Sequence, residues 1–201
     1  MDMLTLSFWI LLVILIIGIF FAFFKLFEKS KPTVENIVVI ALLIAIAVIG
    51  TLPTSAVPGL QIASFIIIMT GIVFGRQTGF ITGALTPVVI GLFSGIGLWT
   101  AFQMLGFGLM GFTAGLLAEK LEDSTPLRAI FGFAWGLLYG WITNISMFPF
   151  LQEINMNTII GVYAASLPFD VIHGVVTAIL LVVLFGLFKR IFSRAKENYF
   201  N

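Results

Sequence analysis

The sequence predicts an all-α, polytopic membrane helical bundle of seven spans. Three observations carry that prediction. Of the 201 residues, 60% are hydrophobic and only 9% are charged, too few to coat a water-facing surface. The charges fall between uncharged runs close to the roughly 20 residues that cross a bilayer. Glycines and alanines recur four apart within those runs, the spacing that lets helix backbones approach closely in lipid.

The first run covers residues 4–26. It has no basic leader, since the first charge is Asp2, and no small-residue cleavage site follows it. It therefore reads as a retained helix rather than a secretory signal. The polar link KLFEKSKPTVEN follows, and a first division of the chain, residues 1–31, ends inside it. The rest, residues 32–201, holds the other spans and a short C-terminal tail.

The second span, 35–50, stops at the Pro- and Gly-containing segment TLPTSAVPG. The third, 60–74, turns at GRQTG into the fourth, 79–93. SGIG leads to the fifth, 98–118, and AEKLEDSTPLR to the sixth, 127–148. After FPFLQEINMN, residues 158–166 read as a short helix of their own. Pro168 then sits in the first turn of the last span, 169–188, where proline costs a helix least.

Seven spans place alternate loops on opposite sides. One side then receives all 10 basic residues, from Lys25, Lys29 and Lys31 through Arg76, Lys120 and Arg128 to Lys189, Arg190, Arg194 and Lys196. The positive-inside rule makes that side cytoplasmic, with the N-terminus outside and the C-terminus inside. An even number of spans would scramble this segregation. The small-residue pairs are Gly71/Gly75, Gly79/Gly83, Gly91/Gly95, Gly111/Gly115, Gly132/Gly136 and Gly136/Gly140. Packing within the bundle accounts for them without any further role.

Much chemistry is excluded. There is no cysteine and one histidine, so thiolate sites and histidine-rich metal sites cannot form. No phosphate-binding G-x-x-x-x-G-K, no H-E-x-x-H and no G-x-S-x-G is present. No nucleophile is matched with a base, and the scattered charges of a chain at +1 do not suggest nucleic acid. The chain is not expected to be an enzyme.

The chemistry that remains centres on LPFDVIHG. Asp170 and His173 are three apart, hence on one helix face, near the outer end of the last span. Four readings compete: a metal site, a proton relay, a structural pair with Asp170 favouring a helix start, and recognition of a polar ligand from outside. A metal would need ligands that no neighbouring helix end offers, and a relay would need more acids across the membrane. Other outer helix ends add polar and aromatic groups. GLWTAFQM places Trp99, Thr100 and Gln103 within about two turns of the outside. Trp141 and Asn144 share a face of the sixth span, and Gln61 opens the third. An interfacial aromatic belt competes with a binding role for both tryptophans. Together these residues outline an outward-open cavity with aromatic walls and amide and carboxylate handles.

Four segments carry a resemblance: ALLIAIAVIGTLPTSAVPGLQ, FIIIMTGIVFGRQTGFITGALT, GLWTAFQMLGFGLMGFTAGLL and LPFDVIHG. Over about residues 36–190 the chain resembles the membrane-embedded S component of energy-coupling factor (ECF) vitamin transporters. It is most similar to the cobalamin-type members, through Gly97, Trp99, Thr100, Gln103 and Met104 and through Pro168, Phe169, Asp170, Ile172 and His173. Gly50-Thr51 stands where such relatives often have arginine, and Leu98 and Ala101 flank the Trp-Thr pair where they often have proline.

The resemblance implies a six-helix core, with the N-terminal span an addition, in a prokaryotic plasma membrane. It implies capture of cobalamin or a related corrinoid on the outer side and delivery by toppling. Asp170, His173, Trp99, Thr100, Gln103, Asn144, Trp141 and Gln61 would contact the vitamin. The partners implied are a transmembrane T component and two cytoplasmic ATPases. Those ATPases use ATP and Mg, and this chain binds no cofactor or metal. Ala41 and Ala45 match an alanine pair that meets the T component. Two alternatives stand beside this expectation: an S component for another heterocycle such as a queuosine precursor, and a membrane assembly protein that carries no nutrient.

Overall fold

The computed structural model describes residues 3–199, with side chains from Leu6 onward. Asp2, the first charge, and the extreme ends of the 1–31 and 32–201 divisions lie outside the described residues. Among the described residues there are helices and no strands. They are α1 (Met3–Lys29), α2 (Val34–Thr51), α3 (Ile62–Phe74), α4 (Arg76–Ser94) and α5 (Leu98–Leu116). After these come α6 (Ala118–Asp123), α7 (Thr125–Asn144), a 3-10 turn (Ile145–Phe150), α8 (Met156–Val183) and α9 (Phe185–Tyr199). By length and apolar composition, four helices can cross a membrane: α1 from Leu6, α2, α4 and α8. The criterion does not single out α3, α5 and α7, the other three expected spans; α3 is a shorter apolar helix of 13 residues.

The largest departure from the sequence expectation is at the C-terminal end. Residues 158–166 are no separate helix, because α8 runs unbroken from Met156 through Pro168. Its start is set by a capping box. Asn155 Oδ1 accepts the Thr158 amide at 3.0 Å, and Thr158 Oγ1 accepts the Asn155 amide at 3.0 Å. The chain breaks instead at Leu184, five residues before the charged run begins at Lys189. Beyond it α9 is amphipathic: Phe185 and Phe192 are buried, while Arg190 and Arg194 are exposed.

Helix α3 is the centre of the bundle. Every residue from Ala63 to Phe74 is buried. Helices α2, α4, α5 and α9 surround it, and the aromatic pairs Phe65–Phe188 and Phe74–Phe192 dock α9 against it. A second cluster joins Ile40, Ile44 and Val48 of α2 to Phe80, Ile81 and Ala84 of α4. Helix α1 is peripheral. It touches the bundle through Phe23, which stacks on Phe80 with centroids 3.7 Å apart and meets Phe112 edge-on.

Between spans, lipid offers no hydrophobic driving force, so close packing must hold the helices. The glycine pairs supply it. A Cβ on Gly79 would strike the Gly111 carbonyl, and one on Gly83 would strike the Phe107 carbonyl, so α4 and α5 touch backbone to backbone. Gly132, Gly136 and Gly140 let α8 approach α7, Gly136 against backbone and the other two against side chains. They face Leu181, Gly174 and Asp170 in turn, one helical turn per contact.

One end of the bundle gathers the basic residues. Lys189 pairs with Glu122 at 2.7 Å, and Lys196 Nζ donates to the Val73 carbonyl at 2.7 Å. Asn36 Nδ2 donates to the Tyr199 carbonyl, closing α9 onto the start of α2. Arg128 Nη1 donates to the Leu121 and Glu122 carbonyls, and its guanidinium lies 3.9 Å from the Phe185 ring centroid. The 51–61 loop and the 3-10 turn lie at the opposite end.

Candidate substrate cavity at the loop end

The cavity of interest is enclosed by the 51–61 loop and by α4, α5 and α7. Its volume is about 320 Å³. Gln61, Gln103, Phe107 and Tyr139 contribute to its walls, together with Thr51 and Ser55. Among the described residues, no charged side chain lines it.

Local chemistry builds the loop that covers it. Thr54 Oγ1 lies within hydrogen-bonding distance of the Gly50, Thr51 and Leu60 carbonyls, at 3.1, 3.0 and 3.3 Å. Thr51 Oγ1 accepts the Ala63 amide at 2.9 Å, which satisfies a first-turn donor of α3 and ties the two helix ends together. Gly59 has φ +82°, and its Cα faces the Phe169 carbonyl and Ile172 of α8 so closely that a Cβ would not fit. The loop is thus docked on the helix that carries LPFDVIHG.

The aromatic wall has an ordered arrangement. Tyr139 of α7 stacks on Phe107 of α5 with centroids 4.1 Å apart and planes 20° from parallel. Gln103 and Tyr139 line the same cavity, and Thr143 Oγ1 donates to the Tyr139 carbonyl at 2.9 Å. The His173 ring stands edge-on to Tyr139, with centroids 5.2 Å apart. Behind it Ser64 Oγ lies 2.6 Å from His173 Nε2.

The residues expected to form the site divide into three groups. Gln61 and Gln103 line the cavity itself. His173 and Asp170 are 3% and 6% exposed and lie one layer behind the wall. His173 supports Tyr139. Asp170 ends a chain in which Asn144 Nδ2 donates to Ser166 Oγ at 2.6 Å and Ser166 Oγ donates to Asp170 Oδ2 at 2.9 Å. The pair is therefore adjacent along α8 but faces two different partners. Thr100 sits in the first turn of α5, where its Oγ1 accepts the amide of the N-cap residue Gly97 at 3.1 Å. Trp99 folds back over Gly97 and is partly exposed. Trp141 meets Tyr163 edge-on beside an outer groove with Ile159 and Ile160, away from the cavity.

Four contributors were not anticipated from the residues: Tyr139, Phe107, Ser64 and Ser166. Only Tyr139 carries a readable signal, a phenol within an apolar span. The serines look like ordinary small residues until α3, α7 and α8 are brought together.

The family model for the ECF-type riboflavin transporter, S component, matches residues 30–190. A UPF0397 protein of Vibrio atlanticus (strain LGP32) is 28% identical over 130 residues, covering 60% of this chain and 71% of the relative. No solved structure matches.

Proposed function

The chain belongs to the family of ECF-type riboflavin transporter S components, and from that premise we propose that its loop-end cavity captures an uncharged, flat heterocyclic vitamin of about flavin size. S components are transporter subunits, not enzymes, and they work with a T component and ATPases. The observation that carries the substrate class is the cavity itself. About 320 Å³ lies at the small end of the roughly 300–1,000 Å³ typical of ligand sites. Its wall offers a stacked Phe107–Tyr139 pair and the amides of Gln61 and Gln103. A planar ring can lie on the aromatic pair while its edge carbonyls and N–H groups meet the amides. A phosphorylated form would bring a charge to a wall without a counter-charge, at a desolvation cost that disfavours it.

A corrinoid is the ligand suggested by GLWTAFQM and LPFDVIHG. It is far larger than the cavity, and admitting it would require the 51–61 loop to leave α8. A queuosine precursor is small enough to compete with a flavin. In this reading the basic end is cytoplasmic and the cavity opens outward. Helix α1 is an addition to a six-helix core. Ala41 is exposed and Ala45 half-buried on a face of α2 shared with Val34 and Val38, and this is the surface offered to the T component. Binding energy comes from the cavity, and ATP and Mg are used by the partners.

The test is titration of the purified protein in neutral detergent with riboflavin, flavin mononucleotide, a queuosine precursor and cobalamin. Intrinsic tryptophan fluorescence and thermal stability are the readouts, since a ligand bound only to the native state raises its stability. Saturable binding of an uncharged heterocycle, weaker for the mononucleotide, supports the reading. Tight binding of cobalamin alone would overturn the substrate class and leave the family in place.

A further inference from the structure

We propose that the basic end of the bundle holds a second site, for a phosphate group, at the start of α4. The site lies opposite the substrate cavity and does not depend on its reading. A cavity of about 400 Å³ opens there between the end of α1, the start of α2 and the α3–α4 turn. Its polar lining is Ser30, Asn36, Arg76, Gln77 and Thr78, and among the described residues no carboxylate lines it.

Three observations converge on an anion. First, α4 begins at Arg76 after Gly75, with no side-chain cap and no acidic residue in its first turn. Its leading N–H groups therefore keep their unmet hydrogen-bonding capacity and the positive end of the helix dipole. The starts of α2, α7 and α8 are served by the caps Thr33, Ser124 and Asn155, and that of α3 by Thr51, whereas α5 and α6, like α4, have no side-chain cap.

Second, Thr78 in that first turn is only 4% exposed and lines the cavity. Among the described residues its hydroxyl has no hydrogen-bond partner. Thr82 and Thr177 also have unpartnered hydroxyls, but theirs are sealed inside the protein. That of Thr78 has the cavity before it. Thr78 lines the cavity, and its hydroxyl can donate to an acceptor that enters there.

Third, Arg76 is exposed at the mouth and makes no ion pair among the described residues. Two other polar groups are already engaged: Ser30 Oγ donates to the Phe27 carbonyl and Asn36 Nδ2 to that of Tyr199. The donors that remain are the guanidinium, the Gln77 amide, the Thr78 hydroxyl and the first amides of α4, and all of them suit an oxyanion. Arginine suits phosphate because its fork can bond two oxygens at once.

The ligand chemistry is a phosphate oxyanion, supplied either by an anionic lipid headgroup at the membrane surface or by a soluble phosphate. Bound there, it would bridge the link after α1 to the starts of α2 and α4.

The experiment uses the full chain. In detergent, inorganic phosphate is titrated against sodium chloride at matched ionic strength, with thermal stability and calorimetry as readouts. In parallel, native mass spectrometry counts lipids retained from nanodiscs of phosphatidylglycerol and of phosphatidylcholine. Arg76→Gln and Thr78→Val are the test variants. Arg194→Gln, exposed at the same end but outside the cavity, is the control. Saturable phosphate binding, weakened at least tenfold by both test variants and not by the control, assigns a soluble source. Selective retention of phosphatidylglycerol with the same variant pattern assigns a lipid source. No saturable effect in either arm, or equal loss with Arg194→Gln, would overturn the site. Because Thr78 is buried, Thr78→Ser serves as the folded comparison: it keeps the hydroxyl and is expected to keep binding.

Discussion

Ser64 of α3 and His173 of α8 meet at 2.6 Å, and neither side chain is more than 3% exposed. They lie 109 positions apart in the chain. Their contact joins the central helix to the helix on which the 51–61 loop docks. Ser64→Ala removes one partner and leaves the imidazole nitrogen buried and unpaired, which costs about 1–3 kcal/mol. The expected result is a lower unfolding temperature in detergent, with the loss of ligand affinity secondary. An unchanged melting curve would mean that the contact does not hold α3 to α8.

The Tyr139 hydroxyl and Gln103 form one polar edge of the cavity. Tyr139→Phe keeps the stack on Phe107 and removes only the hydroxyl. Affinity for the captured heterocycle is expected to fall by about tenfold, which is about 1.4 kcal/mol. Gln103→Ala should produce a loss of similar size. Calorimetric titration of both variants decides this; wild-type affinity in both would move the ligand elsewhere.

Gly59 adopts φ +82° and lies against the Phe169 carbonyl. An alanine there is strained in its backbone and crowds α8. Gly59→Ala is expected to loosen the loop and speed ligand dissociation, with a smaller change in association. Stopped-flow displacement separates the two rates. An unaltered off-rate would show that the loop is not the barrier to release.

Gly136 faces the Gly174 backbone, and a methyl group there has no space. Gly136→Ala forces α7 and α8 apart. Overpacking costs roughly 1–3 kcal/mol, and both Asp170 and His173 sit on the displaced face. Gly161, where an added methyl would meet nothing within 4 Å, is the matched control. Thermal unfolding of Gly136→Ala and Gly161→Ala should diverge, and equal stability would contradict backbone contact as the basis of this pairing.

Ala41 and Ala45 border an exposed apolar face of α2 that includes Val34, Val38 and Leu42. Replacing both alanines with phenylalanine is expected to leave vitamin binding by the isolated protein intact. It should abolish co-purification with the T component and ATPases. Retained assembly would place the coupling surface on another helix.

The class of the protein was legible in its composition. Composition and run length demand helices in lipid, because no water is there to satisfy an open backbone. The placement of Lys25 through Lys196 grouped alternate loops, and the structure gathers Lys189 and Lys196 with their partners at one end. The glycine pairs announced which faces could touch. Gln61 and Gln103 were visible as amides at helix ends. Which neighbours those faces receive emerged only from the packed bundle. Asp170 and His173 share a helix face by spacing, yet one turns to Ser166 and the other to Ser64 and Tyr139. Residues 158–166 looked interrupted by Pro168, but a proline inside a helix is tolerated where neighbouring helices compensate. The partners Ser64, Phe107 and Ser166 are ordinary in sequence. They acquire roles only because α3, α5 and α8 converge, and helical periodicity specifies a face without saying what will lie against it.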